Sequence, residues 1–349
     1  MSKVVLLGDT HIGCRNDLQL FHDHFAKFCQ YMFGVMEEQG ITTIIQLGDL
    51  WDRRKYINFN TLNQARSYFF DELGQRGIRL ITLVGNHDIY WKESVDVNSS
   101  DLLLRDYSNV EVFHKPTSLM IEGTSFDVIP WICKDNEVEV FNFIKESKSD
   151  ICVGHFEIEH FSMYRGIEAH EGLPIDLFAK YERVFSGHYH TRSERENILY
   201  TGTPYEMTWQ DHNDPKGFHI FDLESRRVNF YENPHTIFVK LTYDDNTPED
   251  LSALDLQDCF VKLVVVNKTD LYKFDQYIQR LYNKKAYEVK VVEDMSEFSD
   301  GEVGEEIDLE DTMTVLSHYI DSIDTEADKE KIKAYLKALY VEAVNMEVT

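Results

Sequence analysis

Short apolar runs alternate with amphipathic stretches from Lys3 to about His235, and the runs tend to end at Gly, Asp, Asn or His. This alternation is typical of a layered α/β domain. The predicted strands are Lys3–Leu7, Thr43–Leu47, Arg79–Leu83, Ile151–Val153 and Arg183–Phe185. The predicted helices are Asp17–Glu38, Phe59–Leu73 and Val138–Lys145. Ligands of open α/β sheets lie beyond the carboxyl ends of the strands. We therefore expect a ligand-binding site among the polar residues that follow each strand.

The pattern changes after Pro234, where a compact β-α-β unit is predicted. Its elements are the strand Cys259–Val266, the helix Leu271–Leu281 and the strand Glu288–Val292. We therefore expect a second, smaller domain. The predicted division is a main domain at 1–235, the smaller domain at 236–293, an acidic linker at 294–311 and a helical segment at 312–349.

An acidic run precedes the last part of the chain. From Glu293 to Asp311, ten of nineteen residues are Asp or Glu and none is Lys or Arg. A solvated, flexible linker is the simplest interpretation, and a mimic of DNA or a contact for a basic partner stays open. Two helices are predicted beyond it, Thr312–Ser322 and Glu326–Asn345. The second helix carries an apolar stripe that either packs back on its own chain or docks on another protein.

The composition is that of an acidic globular protein, with 349 residues, a formal charge of −27 and 43% hydrophobic residues. No run of roughly 18 apolar residues and no signal-peptide pattern occurs, so we expect neither a membrane span nor secretion. The five cysteines never form C-x-x-C, which argues against a disulfide framework or a structural zinc site and favours a cytoplasmic location. Because the negative field repels phosphate backbones, a polyanionic substrate must be held locally or by a partner.

Five short segments, each after a predicted strand, collect Asp, Asn and His side chains. They are Gly8-Asp9-Thr10-His11, Gly48-Asp49-Leu50-Trp51-Asp52, Gly85-Asn86-His87-Asp88, Gly154-His155 and Gly187-His188-Tyr189-His190. Mixed oxygen and imidazole ligands suit Mn²⁺, Fe²⁺, Co²⁺ or Zn²⁺ better than an all-oxygen Ca²⁺ or Mg²⁺ site. One such segment is a weak signal, since a single His at a strand end is more often structural. Five in this order predict a metal centre, with two ions as the expected count.

The motifs D-x-H, G-D-x-x-D, G-N-H-D, G-H and G-H-x-H, in this order over residues 3–190, resemble the signature of the calcineurin-like metallophosphoesterases. Within that superfamily, the β-α-β unit and the terminal helices resemble the SbcD-type nucleases, including those of phages. The resemblance implies an α/β sandwich of two mixed sheets flanked by helices, with a small β-α-β capping domain and C-terminal helices.

The resemblance also implies two divalent ions, with Mn²⁺ first among them, and roles for individual residues. Asp9, His11 and His190 would bind the first ion, Asn86, His155 and His188 the second, and Asp49 would bridge both. His87 would stabilise or protonate the leaving oxygen, and the carboxylate of Asp52 would orient His87. For Asp52, a loop carboxylate or a helix cap stays open. Asp88 is expected to cap a turn rather than to take part in chemistry.

The most basic cluster near these motifs is Arg53-Arg54-Lys55. These side chains could bind the phosphates of DNA on either side of the scissile one, with Tyr56 or Trp51 stacking on a base. A solvated loop paired with nearby acids is an equal alternative. Serine/threonine phosphatases have G-D-x-x-D-R-G here, and Arg54 replaces the final Gly, which weakens a phosphatase interpretation.

By resemblance, the function is that of a Mn²⁺-dependent DNA nuclease in recombination, replication and DNA repair. It would act as a 3′-to-5′ exonuclease on double strands and as an endonuclease on single strands. An SbcC-like coiled-coil ATPase would dock on Thr312–Asn345, and a homodimer would make the complex a heterotetramer. Two alternatives stay open: a metallophosphoesterase acting on a phosphoprotein or a small phosphodiester, and a non-catalytic scaffold, for which missing ligands would be expected and none is missing.

Exposed apolar residues are the expected physical basis of the homodimer. Tyr68, Phe69 and Phe70 end a predicted helix rich in polar residues, and Asp101–Arg105 contains three consecutive leucines. An apolar patch on these helices would favour a helical interface. Trp131 is a candidate wall of the substrate cleft, or an ordinary packing residue.

Overall fold

The computed structural model describes residues 2–292, except residues 165, 166 and 170, together with Lys329, Lys331 and Lys333. The strands and helices up to residue 292 all belong to one compact unit. The acidic linker and the two terminal helices predicted from the sequence lie outside the described residues, apart from the three lysines, which are helical. The domain division stays a prediction. No helix of the described part is both long and apolar enough to cross a membrane.

A first sheet of six strands contains three of the predicted strands at its centre. Lys3–Leu7, Thr43–Gln46, Arg79–Leu83 and Val110–Phe113 run parallel to one another. At one edge, Gly217–Asp222 pairs antiparallel with Lys3–Leu7, and Val228–Glu232 follows it as a hairpin partner. The mixed sheet leaves the carboxyl ends of its parallel strands at one edge of the domain.

A second sheet, also of six strands, contains the other two predicted strands. Its parallel core consists of Ile198–Tyr200, Arg183–Gly187, Ile151–His155 and Thr124–Ile129. Antiparallel strands close both edges of this sheet, Ser193–Arg195 on one side and Thr117–Ile121 on the other. Val153 is paired with Phe185 in register, and Gly154 with Ser186, so the polar residues after these two strands emerge side by side.

The two sheets pack face to face, and helices cover their outer faces. Val4 and Leu6 point into the layer between the sheets, where they meet side chains such as Val153 and Phe185. Val5, the alternate residue, packs under the helical layer. Because successive side chains of a strand point to opposite faces, a strand buried on both faces is apolar throughout. This explains why the central strands read as continuous apolar runs, and it confirms the predicted sandwich.

The long helix Gln19–Gln39 covers the first sheet. Its buried side chains recur every three or four residues and form the apolar stripe of an amphipathic helix, namely Phe21, Phe25, Phe28, Met32 and Met36. The helix begins two residues later than predicted, because Asp17 adopts a positive φ of 59°. On the second sheet, Glu137–Glu146 buries Val140 and Ile144.

The second predicted helix is interrupted by a π-helical turn. It consists of Phe59–Ala65, the π turn Arg66–Phe70 and Asp71–Gln75. Phe69 and Phe70 are both fully buried in the core under the first sheet. The apolar patch expected from these two residues is therefore wrong.

The remaining short elements connect the layers. They are Cys14–Asp17, the hairpin of Ile89–Trp91 and Ser94–Asn98, the helix Ser99–Leu104, the paired strands Ser162–Tyr164 and Ile167–Glu168, and the 3₁₀ turns Ile175–Phe178 and Trp209–Asp211. In Ser99–Leu104, Leu104 is buried and Leu102 is 55% exposed.

The β-α-β unit is present, with one strand more than the sequence predicts. Phe260–Asn267, the helix Leu271–Asn283 and Glu288–Val292 follow the predicted order. Phe238–Asp244 adds a third strand, parallel to Phe260–Asn267. The helix buries Phe274, Tyr277 and Leu281 against this small sheet, so the unit has its own apolar core.

Candidate metal centre

The five polar segments converge at the carboxyl ends of strands from both sheets. Three of the segments follow strands of the first sheet, namely Lys3–Leu7, Thr43–Gln46 and Arg79–Leu83. The other two lie at the ends of strands of the second sheet, Ile151–His155 and Arg183–Gly187. All seven predicted ligands lie close together there, and each is buried or half-buried: Asp9, His11, Asp49, Asn86, His155, His188 and His190.

Asp9, His11 and His190 form the first of two ligand groups. Each offers one ligand atom, and these atoms lie within 4.8 Å of one another. The Nε2 atoms of His11 and His190 are 3.1 Å apart, and Nε2 of His190 is 3.9 Å from Oδ2 of Asp9. The two imidazoles and one carboxylate thus aim at one small volume, in an arrangement that could hold a divalent cation.

The second group consists of Asp49, His155 and His188, with Asn86 between the two imidazoles. Oδ1 of Asn86 is 2.9 Å from Nε2 of His155 and 3.1 Å from Nδ1 of His188. Oδ2 of Asp49 is 3.3 Å from Nε2 of His155, and it is also 3.8 Å from Nε2 of His11 in the first group. Asp49 therefore lies where a carboxylate could bridge two ions.

Several of these residues have a strained backbone. His11, Asp49 and His188 adopt positive φ angles of 40°, 50° and 89°. A non-glycine residue with such a φ costs on the order of 1–3 kcal/mol and persists only where the surrounding structure enforces it. The fold therefore maintains three unfavourable conformations within one cluster, which is characteristic of a functional site.

Two glycines allow the segments to approach one another closely. A Cβ atom on Gly85 would lie 2.2 Å from Oδ1 and 2.3 Å from the backbone N of Asp49. A Cβ atom on Gly187 would lie 2.4 Å from Oδ1 of Asp9. Any larger residue at either position would displace a carboxylate of the cluster, so the close grouping of these possible ligands depends on glycine at both positions.

The burial of so many charges perturbs their ionisation. Burial raises the pKa of Asp9 to about 7. Burial acts to lower the pKa values of His11 and His155, but nearby carboxylates outweigh it, chiefly Asp52 and Asp49 for His11 and Asp49 for His155, and raise them to about 10 and about 9. Burial opposes the ionisation of Asp49, yet His155 holds its pKa well below the usual range. The carboxylates of the cluster therefore favour protonated, positively charged imidazoles beside them, and bound metal ions would take the place of that positive charge.

His87 lies at the rim of the cluster. Its backbone N–H donates to Oδ1 of Asp49 at 2.7 Å, and its ring stands edge-on to that of His11 with centroids 4.7 Å apart. Nδ1 lies 2.7 Å from the backbone carbonyl oxygen of Asp52. A carbonyl only accepts, so Nδ1 carries the proton and Nε2 is left for other contacts.

The expected contact between Asp52 and His87 exists, but a different atom makes it. The prediction assigned it to the carboxylate, whereas the backbone carbonyl occupies that place. The carboxylate turns instead to His11, with Oδ1 3.4 Å from Nδ1. Asp52 therefore hydrogen-bonds His87 through its carbonyl, while its carboxylate lies within ion-pair distance of His11 without a hydrogen bond.

Asp88 and Gln46 support the cluster from below, in roles that the sequence did not reveal. Asp88 is fully buried and accepts N–H groups of Gly85, Leu50 and Trp51 at 2.9, 3.3 and 3.1 Å. The hydrogen bond from Gly85 is the expected turn cap. The hydrogen bonds from Leu50 and Trp51 connect Asp88 to the segment that carries Asp49. The side chain of Gln46 donates to the carbonyl of Gly48 and accepts the hydroxyl of Thr82. Their partners lie up to 38 residues away, so only the fold reveals these roles.

The predicted substrate contacts have mixed outcomes. Trp131 borders the second group, with its ring 5.1 Å from that of His188, and lines a cleft of about 320 Å³ next to His155. Trp51 is fully buried, so it cannot stack on a base.

The basic cluster Arg53-Arg54-Lys55 directly follows Asp52. The Arg53 guanidinium binds Asp17 and Asn16 at 2.9 and 2.8 Å and lies 5.1 Å from the centroid of the exposed Tyr56 ring. Arg54 is half-buried and Lys55 is exposed. Contacts of these three residues with DNA stay a prediction.

The similarities of the chain to known proteins agree with this arrangement. Residues 2–192 match the calcineurin-like phosphoesterase family. The chain is 35% identical to exonuclease subunit 1 of Enterobacteria phage T4, over 98% of its own length and 99% of that protein. It is 23% identical to the DNA double-strand break repair protein Mre11 of Nanoarchaeum equitans, over 77% of the chain and 80% of that protein. It is also 24% identical to a subunit of the nuclease SbcCD of Staphylococcus epidermidis, over 65% of the chain and 67% of that protein. These matches confirm the resemblance drawn from the motifs, and the chain belongs to the calcineurin-like phosphoesterase family.

Proposed function

We propose that this protein is a DNA nuclease that hydrolyses phosphodiester bonds with two divalent cations, of which Mn²⁺ is the one we expect in the cell. The observation that carries the proposal is the pair of adjacent ligand groups with Asp49 near both, its Oδ2 3.3 Å from Nε2 of His155 and 3.8 Å from Nε2 of His11. Similarity to a phage exonuclease subunit over almost the full chain supports DNA as the substrate. The proposal also fits the mixed oxygen and imidazole donor set.

Asp9, His11 and His190 would hold the first ion, Asn86, His155 and His188 the second, and Asp49 both. When bound, such an ion pair orients a phosphodiester, activates water and offsets the charge of the transition state. The chain itself supplies rigid placement, because hydrogen bonds and strained backbone fix the ligands before substrate arrives.

His87 would act on the leaving oxygen. The Asp52 carbonyl holds the proton on Nδ1, so Nε2 is the atom that could hold or transfer a proton to a bound phosphate ester. Asp52 is a positioning residue in this proposal, acting through its carbonyl. Arg53, Arg54 and Lys55 would contact phosphates of flanking DNA.

We further propose that the chain works as a subunit in the cytoplasm. Two of its relatives are named as subunits of nucleases. An SbcC-like coiled-coil ATPase docking on residues 312–349 would add basic surface for DNA to the small cluster Arg53-Arg54-Lys55 of a chain whose formal charge is −27. Self-association into a homodimer would use exposed apolar side chains such as Phe59 and Leu102, which are 89% and 55% exposed. Exonuclease action on double strands and endonuclease action on single strands belong to the same proposal.

The negative charge favours one competing function, hydrolysis of a phosphoprotein or a small phosphodiester, because no long polyanion need then be bound. The deciding experiment measures cleavage of labelled duplex and single-stranded DNA with Mn²⁺ at low salt, with and without the ATPase. Bis(p-nitrophenyl) phosphate is the small substrate. We expect Mn²⁺-dependent DNA cleavage that Asp49→Ala abolishes. Hydrolysis of the small ester without any DNA cleavage would refute the nuclease proposal in favour of the competing one.

A further inference from the structure

Lys216 is a buried cation directly behind the first ligand group. It is 5% exposed, and its Nζ donates to the backbone carbonyl of His190 at 2.9 Å. Two carboxylates complete its surroundings, Oδ1 of Asp211 at 2.7 Å and Oδ2 of Asp214 at 2.8 Å. All three N–H donors of the ammonium therefore have an acceptor, and one of these acceptors belongs to His190, a predicted metal ligand.

The His190 carbonyl is held from two sides. The backbone N–H of Thr203 donates to the same oxygen at 3.1 Å. Both donors belong to the segment that runs from the second sheet back into the first. A backbone fixed in this way determines where the His190 side chain points, and Nε2 of His190 must meet Asp9 and His11 for the first group to form.

The same segment also leads to the β-α-β unit. The backbone N–H of Asn233 donates to the Lys216 carbonyl at 2.8 Å. The carboxylate of Glu206 accepts the N–H groups of Ile237 and Phe238 at 2.6 and 2.9 Å, just before the first strand of that unit. Lys216 and Glu206 line one cleft of about 520 Å³ at this junction.

We propose that Lys216 is a positioning residue for the first metal ion, acting through the backbone of His190 and tied to the junction with the β-α-β unit. This inference rests on the proposed two-metal function. Loss of a group that orients a metal ligand typically weakens metal affinity by about 10–100-fold, which is the effect we expect at the first ion.

Charge alone predicts the opposite effect. With Asp211 and Asp214 ionised, the cluster carries one net negative charge, and Lys216→Met would make it two. A more negative surrounding attracts a cation more strongly, so a purely electrostatic role of Lys216 would make the variant bind Mn²⁺ more tightly. The sign of the change in affinity therefore separates positioning from electrostatics.

The test is calorimetric titration of the full chain with Mn²⁺ alone, without substrate. We expect Lys216→Met to weaken one of two binding events at least tenfold and to leave the other within about threefold. The weakened event should be the one lost in His190→Ala and kept in His188→Ala. The double variant Lys216→Met/Asp214→Asn keeps the net charge of the wild type but lacks the Lys216 ammonium. It should show the same loss of Mn²⁺ affinity, and it replaces the single variant in this test if the single variant fails to fold.

Lys180→Met is the matched control. Lys180 also donates from Nζ to backbone carbonyls, those of Ile144 and Ser147, but these cap a helix and belong to no ligand group. The Lys180→Met variant should bind two Mn²⁺ ions as the wild type does.

Two unfavourable outcomes are distinct. A wild type that binds fewer than two ions would refute the proposed function. A wild type that binds two ions, with unchanged or tighter binding in folded Lys216 variants, would overturn the role of Lys216 alone.

Discussion

Gly85→Ala adds a single carbon atom, and the structure predicts a large effect on the bridging carboxylate of Asp49. The added Cβ would lie 2.2 Å from Oδ1 of Asp49 and 2.3 Å from its backbone N. An ordinary contact needs about 3.4 Å, so Asp49 must move by about 1 Å. Rotation of the side chain cannot relieve the clash, because the backbone atom is equally close. The whole segment that carries the bridging carboxylate must shift.

The magnitude follows from two costs. Overpacking of a close-packed interior typically costs about 1–3 kcal/mol of unfolding free energy. The displacement also moves Asp49 away from both ligand groups, and a misplacement of about 1 Å in a catalytic arrangement costs on the order of 100-fold in rate. We therefore expect Gly85→Ala to unfold more easily and to lose affinity for Mn²⁺ and activity together.

Gly34→Ala provides the control, since it is the same substitution in a different environment. Gly34 lies in the helix Gln19–Gln39, is exposed, and an added Cβ would meet nothing within 4 Å. Replacing Gly by Ala inside a helix stabilises by about 0.5–1 kcal/mol. Urea denaturation with and without Mn²⁺, together with calorimetric Mn²⁺ titration, would compare the two variants. If Gly85→Ala matched the wild type in stability and Mn²⁺ stoichiometry, the argument from close approach would be refuted.

Three further predictions concern charge and protonation. His87→Ala should abolish cleavage while Mn²⁺ content stays near that of the wild type, and retained cleavage would exclude its assigned role. Burial raises the pKa of Glu206 to about 7, so between about pH 4.5 and 7 the folded state keeps a proton that the unfolded state has lost. The ionisation of Glu206 by itself should lower the free energy of unfolding by up to about 3 kcal/mol as pH rises through that window. In urea denaturation, the change from pH 5 to pH 8 should therefore be more favourable to the folded state in Glu206→Gln than in the wild type by about that amount, and an identical change in both proteins would contradict the assignment. Binding of Mn²⁺ should release protons from His11 and His155, whose pKa values lie at about 10 and about 9, so affinity should rise from pH 6 to 9 in calorimetry; a pH-independent affinity would contradict this.

Local signals sufficed for the ligands themselves. Asp9 and His155 each follow or end an apolar strand, and the edge at which parallel strands end is common to the whole sheet. A continuous apolar run indicates a strand that is buried on both faces. The strands Lys3–Leu7 and Arg79–Leu83 accordingly have the bounds that the pattern predicts. The β-α-β unit was likewise visible, because its helix carries a strong amphipathic stripe.

Short, half-buried edge strands were not visible. Val228–Glu232 and Ser193–Arg195 hold few fully buried side chains, so their sequences lack a clear apolar run. They become strands because a neighbouring strand offers hydrogen-bonding partners, which is a tertiary effect. The strand Phe238–Asp244 was missed for a related reason, since the exposed Lys240 and Thr242 alternate with buried residues and leave no continuous apolar run.

Contacts between distant segments were decided by the tertiary structure alone. The sequence named Asp52 as a partner of His87 but could not show that the carbonyl, rather than the carboxylate, makes the contact. Tyrosines and phenylalanines look alike in a helical pattern whether they face solvent or core, so the burial of Phe69 and Phe70 required the packed sheet. Residue type and local periodicity are encoded along the chain, and they determined the fold class and the chemistry of the donors. Which atoms meet across 26 to 179 residues depends on how the layers pack, and that is why the support from Lys216 emerged only from the folded structure.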